Sequence, residues 1–486
     1  MTPIAGWLPD ADPSTPGLMS DCQHVISTAF GYAGAPAPIA AAIDSLGIDV
    51  RGAVVATDLT GNRRIYAGTQ TKLNLLTSAT WADVSKVGGY VGSSESRWSF
   101  AQFGDTTMAS NLADPMQELK KGTSAFADVP TAPKAKIIVS ASNNFVLAFY
   151  TNEANYGVSP DRWWCCAQNN QDDWAPNVST GANTGRLIAE EGPITAAGTL
   201  GNYVVAYKNQ AIFAGSFVGS PVGFQWMLIP GGTAGCIGQE AWCDIGGAHF
   251  IIGPDMFWLF DGTRPMPIGM GETRDWFYAN SNPAWRYRTQ AIYDKIHKLV
   301  RVAYPSIRSN GQLDATITYN VATKKWSRDD NTISAFLNFV QPGTTIDGLN
   351  NFAATINALP NVPVDSPFWS AGGESASYFG PAGKLWNLNG TTLDSYLVTG
   401  DVGDDDTVTM IERFRVRYSL APATAQASGL VKFTSGGAFV PGPVNAINDG
   451  KFDLRQTGRW HSVRVDMTGA HVETAFDLKP IPAGMR

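Results

Sequence analysis

Carboxylates are the side chains of this sequence whose placement invites a chemical reading. Asp172, Asp173, Asp244, Asp255 and Asp261 are candidates for the acid and base of a glycosidase, which needs two carboxylates flanking the bond to be cut. Most of them stand in QDDW, GPDM and FDGT, where Asp usually accepts hydrogen bonds from the backbone just after it. We therefore read them as turn residues. The sialidase box S-x-D-x-G-x-x-W is absent, as are GxSxG and a Walker loop. GMGETR at 269–274 lacks the lysine and the spacing of a phosphate loop. No catalytic residue is assigned.

Metal and redox chemistry fare no better. Five cysteines, Cys22, Cys165, Cys166, Cys236 and Cys243, include no CxxC, and their odd number indicates neither a zinc site nor a disulfide framework. The five histidines are scattered, without HExxH. Asp401, Asp404, Asp405 and Asp406 form an acidic loop that could hold Ca²⁺, but no EF-hand frame surrounds it. We expect a mobile, solvent-facing loop, no metal and no cofactor. The opening MTPIAGWLPDADP has no basic segment of the signal-peptide kind, and no apolar run is long enough for a bilayer. The net charge of −7 gives no basic footprint for nucleic acid.

The elements that would position any site are strands. From Pro193 to Gly262, short apolar runs alternate with Gly, Asn and Pro. Such runs are too short for helices and read as consecutive hairpins. The pattern extends in both directions. First strands are expected to begin at Ala53, Trp98, Lys136, Ile194, Ala241, Gln290 and Ile333, a spacing on the order of 40–55 residues that suits four-stranded propeller blades. The third blade is expected to end near Trp174, and the seventh to include Phe352–Ile356. Trp81, Trp174, Trp226 and Trp326 near blade ends are read as wedges between blades, not ligand platforms.

The expected architecture is all-β: a β-propeller of six or seven blades over residues 51–390, preceded by an extended arm, 1–50, and followed by a small sandwich-like β domain, 391–486. The arm is too rich in Pro and Gly for a long helix, although Ile39–Leu46 could make a turn or two. Its apolar anchors, Trp7, Val25, Phe30 and Tyr32, should dock on its own subunit or on a neighbour. In the C-terminal unit Phe414, Val416 and Tyr418 alternate with Arg413, Arg415 and Arg417, as in a half-buried strand. A charged fraction of only 16% implies much surface covered by neighbours.

Several stretches resemble the short-tailed bacteriophage tail nozzle proteins, the tail tubular protein B family. They are the arm GWLPDADPSTPGLMSDCQHVISTAFGYAGAP, RIYAGTQTKLNLL, WSFAQFGDTTMASN, PDRWWCCAQNNQDDWAP, GPITAAGTLGNYVVAYKNQAIFAG, HFIIGPDMFWLFDGTRPMPIG and the closing RWHSVRVDMTGAHVETAFDLKPIPAGMR. The arm departs from that family's pattern at Cys22-Gln23-His24-Val25. The resemblance implies a non-enzymatic virion protein, assembled in the host cytoplasm as a homo-hexameric ring in the tail. Its implied partners are the tail adaptor, tail fibre or tailspike proteins, and genomic DNA passing through without sequence-specific binding. No membrane insertion is implied. On that reading the acidic loop Asp401–Asp406 would face the channel and repel phosphate. The alternative is a carbohydrate-binding or polysaccharide-degrading propeller, a lectin or a glycosidase.

Overall fold

A computed structural model describes residues 1–339, 355 and 374–485. Strands dominate it, and the α-helix among the described residues is the short Arg274–Asn280. Seven four-stranded antiparallel sheets follow one another along the chain. Their first strands are Ala53–Thr57, Ser99–Phe103, Lys134–Ala141, Ala196–Leu200, Trp242–Asp244, Gln290–Asp294 and Ala335–Phe339. The first strand of blade seven lies against that of blade one, which closes the ring. The fold is a seven-bladed β-propeller carrying a second β unit.

Aromatic wedges hold neighbouring blades together. Trp326 of blade six packs on Phe257 of blade five at 5.0 Å between ring centroids. Trp226 of blade four meets Phe149 and Trp163 of blade three, each at 5.7 Å. Trp81 of blade one faces Phe379 of blade seven at 5.9 Å. Glycine makes room for such rings. A Cβ on Gly198 of blade four would sit 2.0 Å from the indole of Trp242 in blade five. Substitution there must displace a packed ring, not a flexible tip.

The N-terminal arm is woven into everything that follows it. Ile39–Ala40 pairs with Leu385–Asn387 and supplies the outermost strand of blade seven. This corrects the expectation of helical turns over Ile39–Leu46. The backbone there is spent on a sheet edge, with Ala41 N–H donating to the Leu385 carbonyl at 2.9 Å. The expected blade-seven strand Phe352–Ile356 lies, apart from Thr355, outside the described residues. Blade three is also corrected at its end. Its fourth strand is Asn183–Arg186, paired with Arg162–Cys165, while Trp174 is buried in the preceding loop.

Earlier arm residues complete the C-terminal unit, which is built from two sheets. One runs in the order Phe452–Gly458, Thr407–Leu420, Val472–Met485, Gly31–Gly34, Val25–Thr28. The other runs Gly6–Trp7, Leu18–Gln23, Ser395–Thr399, Trp460–Thr468, Thr424–Lys432, Val440–Ala446. Phe414 and Val416 point into this core, whereas Arg413, Arg415 and Arg417 are exposed. The unit packs against the outer strand of blade six, Trp326–Asp329. One apolar core is continuous across that boundary, from Phe250 and Phe257 through Trp326 to Trp7, Met19 and Leu397.

Candidate ligand site on the propeller axis

Residues at or just before the starts of the seven first strands converge on one cavity of about 590 Å³. Blades one to three contribute Arg51, Arg97 and Lys136, blades four to six Thr195, Gln239 and Gln290, and blade seven Ser334. Arg288, just ahead of the blade-six strand, adds a fourth cation. Polar groups gather there because a propeller's first strands are brought side by side and their starts ring the axis. A second cavity of about 690 Å³ is lined by the inner strands themselves, including Phe100, Ile138, Trp242 and Phe336. The C-terminal unit lies at the rim, beside blade six, away from both.

The cations are not equally neutralised. Arg97 Nε lies 2.5 Å from Glu240 Oε2, and Arg97 also donates to the Ser334 carbonyl at 3.2 Å. Arg288 grips Glu95, which accepts a further hydrogen bond from the Tyr287 hydroxyl at 2.8 Å. Burial would raise the Glu95 carboxyl, but the hydrogen bonds from Arg288 and Tyr287 prevail and hold it below its usual range. Arg51 donates to the Ser94 carbonyl. Burial, and then the charge of Arg97, pull the Arg51 guanidinium below its ordinary value. Burial alone does the same to the Lys136 ammonium. Among the described residues Lys136 Nζ has neither an ion pair nor a hydrogen bond, and it sits 5.4 Å from the Tyr150 ring.

A second constellation fastens the arm where propeller and C-terminal unit meet. His24 has φ +56° at the end of its strand. Its Nδ1 faces the Asp394 carbonyl at 2.8 Å, and its Nε2 faces Asp330 Oδ1 at 2.7 Å and Asp329 Oδ1 at 3.3 Å. Burial opposes the imidazolium, but the Asp330 hydrogen bond and the Asp329 charge prevail and lift His24 to about 9. These three residues are of the kinds that could hold a divalent cation. The Nε2 proton is bonded to Asp330, while Asp329, whose carboxyl burial raises, accepts from the Asp330 N–H and from Asn331 Nδ2. Beside them Arg328 donates to the Cys22 carbonyl and to the Tyr396 hydroxyl, each at 2.7 Å.

Of the arm anchors, Trp7, Val25 and Tyr32 are buried. The Tyr32 hydroxyl accepts from Trp7 N–H at 3.2 Å and donates to the Trp326 carbonyl at 2.9 Å. Phe30 does not dock on its own chain. It is 85% exposed, because it occupies the tip of the hairpin between Val25–Thr28 and Gly31–Gly34. The acidic loop divides likewise. Asp404, Asp405 and Asp406 are exposed, but Asp401 is largely buried in an ion pair with Lys432 at 2.7 Å. Asp405 accepts from Trp460 Nε1 at 2.6 Å and Ser435 N–H at 2.8 Å, and Asp404 caps Thr407 and Asp406. Asp401 thus departs from the expected solvent-facing placement, and Asp404, Asp405 and Asp406 keep it.

The five aspartates first weighed as catalysts line neither axial cavity. Asp173, Asp244 and Asp261 accept from the backbone N–H two residues ahead, and Asp172 pairs with Lys120 at 2.7 Å. The axial cations went unnoticed in the sequence, although a signal was present. Arg51 and Arg97 each stand two residues ahead of a first strand, a repeat that aligning blade starts would reveal, whereas Lys136 is the third residue of its strand. His24, Asp329 and Asp330 carried no such signal, since about three hundred residues separate the histidine from the carboxylates.

No protein-family model matches this chain, and no curated protein does. Among solved structures it is similar to a chain described as "YCF48 bound to D1 peptide", at 11% identity and a TM-score of 0.38, covering 73% of this chain and 97% of that one. A likeness that distant carries nothing about what this chain binds.

Proposed function

We propose that this chain is a structural subunit of a short-tailed bacteriophage tail, forming the nozzle ring that extends and closes the DNA channel below the portal and adaptor. On this reading six copies assemble in the host cytoplasm, and their outer surface carries fibres or tailspikes. What supports it is the resemblance of the arm, of five propeller stretches and of the C-terminal strands to that family. One structural observation fits it best: the arm. Residues 1–40 contribute strands to both sheets of the C-terminal unit and to blade seven, tying the lobes into one body suited to bearing pressure from packaged DNA.

The carbohydrate-active alternative has less support. It would use carboxylates near the axis, but Glu240 is paired with Arg97 and Glu374 with Lys295. The test is assembly of the purified protein, by negative-stain electron microscopy with light scattering. Rings of subunits are expected. A strictly monomeric protein, up to concentrations of about 100 µM, a range in which even weak contacts populate, would overturn the proposal.

A further inference from the structure

We propose that the axial cavity is a binding site for a small oxyanion-bearing ligand, a phosphate or carboxylate compound, held by Arg51 and Lys136 and flanked by Arg97 and Arg288. The assignment is independent of the tail reading. It starts from a charge imbalance. Four cations line the cavity against two carboxylates, Asp49 and Glu95, in a chain whose net charge is −7. Two of the cations are compensated, Arg97 by Glu240 and Arg288 by Glu95. Asp49 is engaged by the backbone N–H of Ala382 at 2.9 Å. Lys136 has no acidic partner among the described residues, and Arg51 hydrogen-bonds only a neutral carbonyl, with Asp49 and Glu95 acting on it through their charge alone.

Holding the Lys136 ammonium away from water without a counter-charge, and Arg51 within the field of Arg97, is unfavourable unless an anion joins them. An oxyanion removes that cost and gains charge-assisted hydrogen bonds, for which an arginine fork and a lysine point charge are complementary partners. The volume of about 590 Å³ lies in the range that encloses small ligands. The acidity of the whole molecule disfavours a polynucleotide, which needs an extended basic track.

Isothermal titration of the full-length protein with pyrophosphate and with citrate, at fixed ionic strength in chloride, tests the proposal. One saturable site per chain is expected for at least one probe. Preference for pyrophosphate marks the natural ligand as a phosphate compound, and preference for citrate as a carboxylate. Arg51→Gln and Lys136→Gln should each weaken binding by about tenfold or more. Lys479→Gln, at a side chain 79% exposed and outside the cavity, should leave it unchanged. Acetylation of the unmodified protein, followed by peptide mass spectrometry, supplies a measurement that does not depend on variants folding. The saturating probe should protect Lys136. No saturable heat with either probe, equal affinity in the cavity variants, or undiminished labelling of Lys136 would each overturn the site. None of these results bears on ring formation.

Discussion

Two titratable groups at the arm junction make stability depend on pH in the same direction. His24 titrates near 9 in the folded chain, against an ordinary value of 6.5. Its contribution is complete below about 6.5 and disappears as pH rises through about 9. Glu473 is fully buried with neither carboxylate oxygen hydrogen-bonded, and burial raises it from 4.5 to about 8. His471 Nε2, 3.5 Å from its Oε2, offers no charge, because burial lowers that imidazole. The cross-strand neighbours of Glu473, Tyr32 and Tyr418, are phenols. Folding above pH 4.5 must therefore retain a proton that the unfolded chain releases, and stability falls from about 4.5 to about 8. Chemical denaturation across pH should separate the two. His24→Asn, which keeps a residue tolerant of positive φ, should flatten the window from 6.5 to 9 and lower stability at pH 6. Glu473→Gln should flatten the lower window and raise stability at pH 8.5. A wild-type curve with no decline between pH 6 and 9 would contradict both assignments.

At the level of elements, what the sequence disclosed was what local pattern controls. Blade starts expected at Ala53, Trp98 and Gln290 fall within a residue of the observed strands, because hairpins with alternating burial are specified by neighbours in the chain. Partnerships between distant segments were not legible. Asn183–Arg186, NTGR, has no apolar alternation and joins blade three through backbone pairing and polar side-chain contacts, Thr184 with the Trp163 carbonyl and Arg186 with Asp161. Ile39–Ala40 is exposed and meets its partner more than three hundred residues later. Phe30, at a hairpin tip, shows that an aromatic ring in the sequence does not fix which surface it meets. Arg51 and Arg97 could have been found only by aligning blades with one another. The closing strand gives a sharp expectation. Ala41→Pro removes the N–H that meets the Leu385 carbonyl and should cost about 1–3 kcal/mol in denaturant unfolding. A loss below about 0.5 kcal/mol would mean that blade seven is secured without that edge.

For the whole molecule, the proposed channel role of the acidic loop can be examined by charge reversal, with thermal unfolding as a control because Asp404 and Asp405 also anchor the loop. Asp401 must be spared, because its pairing with Lys432 is largely buried and the ammonium also lies 4.4 Å from the Phe439 ring. Replacing Asp404, Asp405 and Asp406 by lysine reverses the exposed charge. If the loop faces the conduit, particles should assemble with complete tails but release DNA more slowly, with the delay easing as salt rises. Unchanged ejection at low salt would remove the loop from the channel.

The interlocked ends also bear on how the molecule is made. Ile39–Ala40 leaves the ribosome early, but its sheet partner, Leu385–Asn387, is among the last parts of the ring to appear. At roughly 5–20 residues per second, that strand waits on the order of tens of seconds before the ring can close. Trp7 and Tyr32 wait longer still for the C-terminal sheets that bury them. Throughout that interval the nascent chain shows an open blade edge and uncovered aromatic rings, features that recruit chaperones and invite mispairing with the same segments of neighbouring chains on one messenger. Completion of the C-terminus thus acts as a checkpoint, and truncated translation products cannot acquire the finished surface.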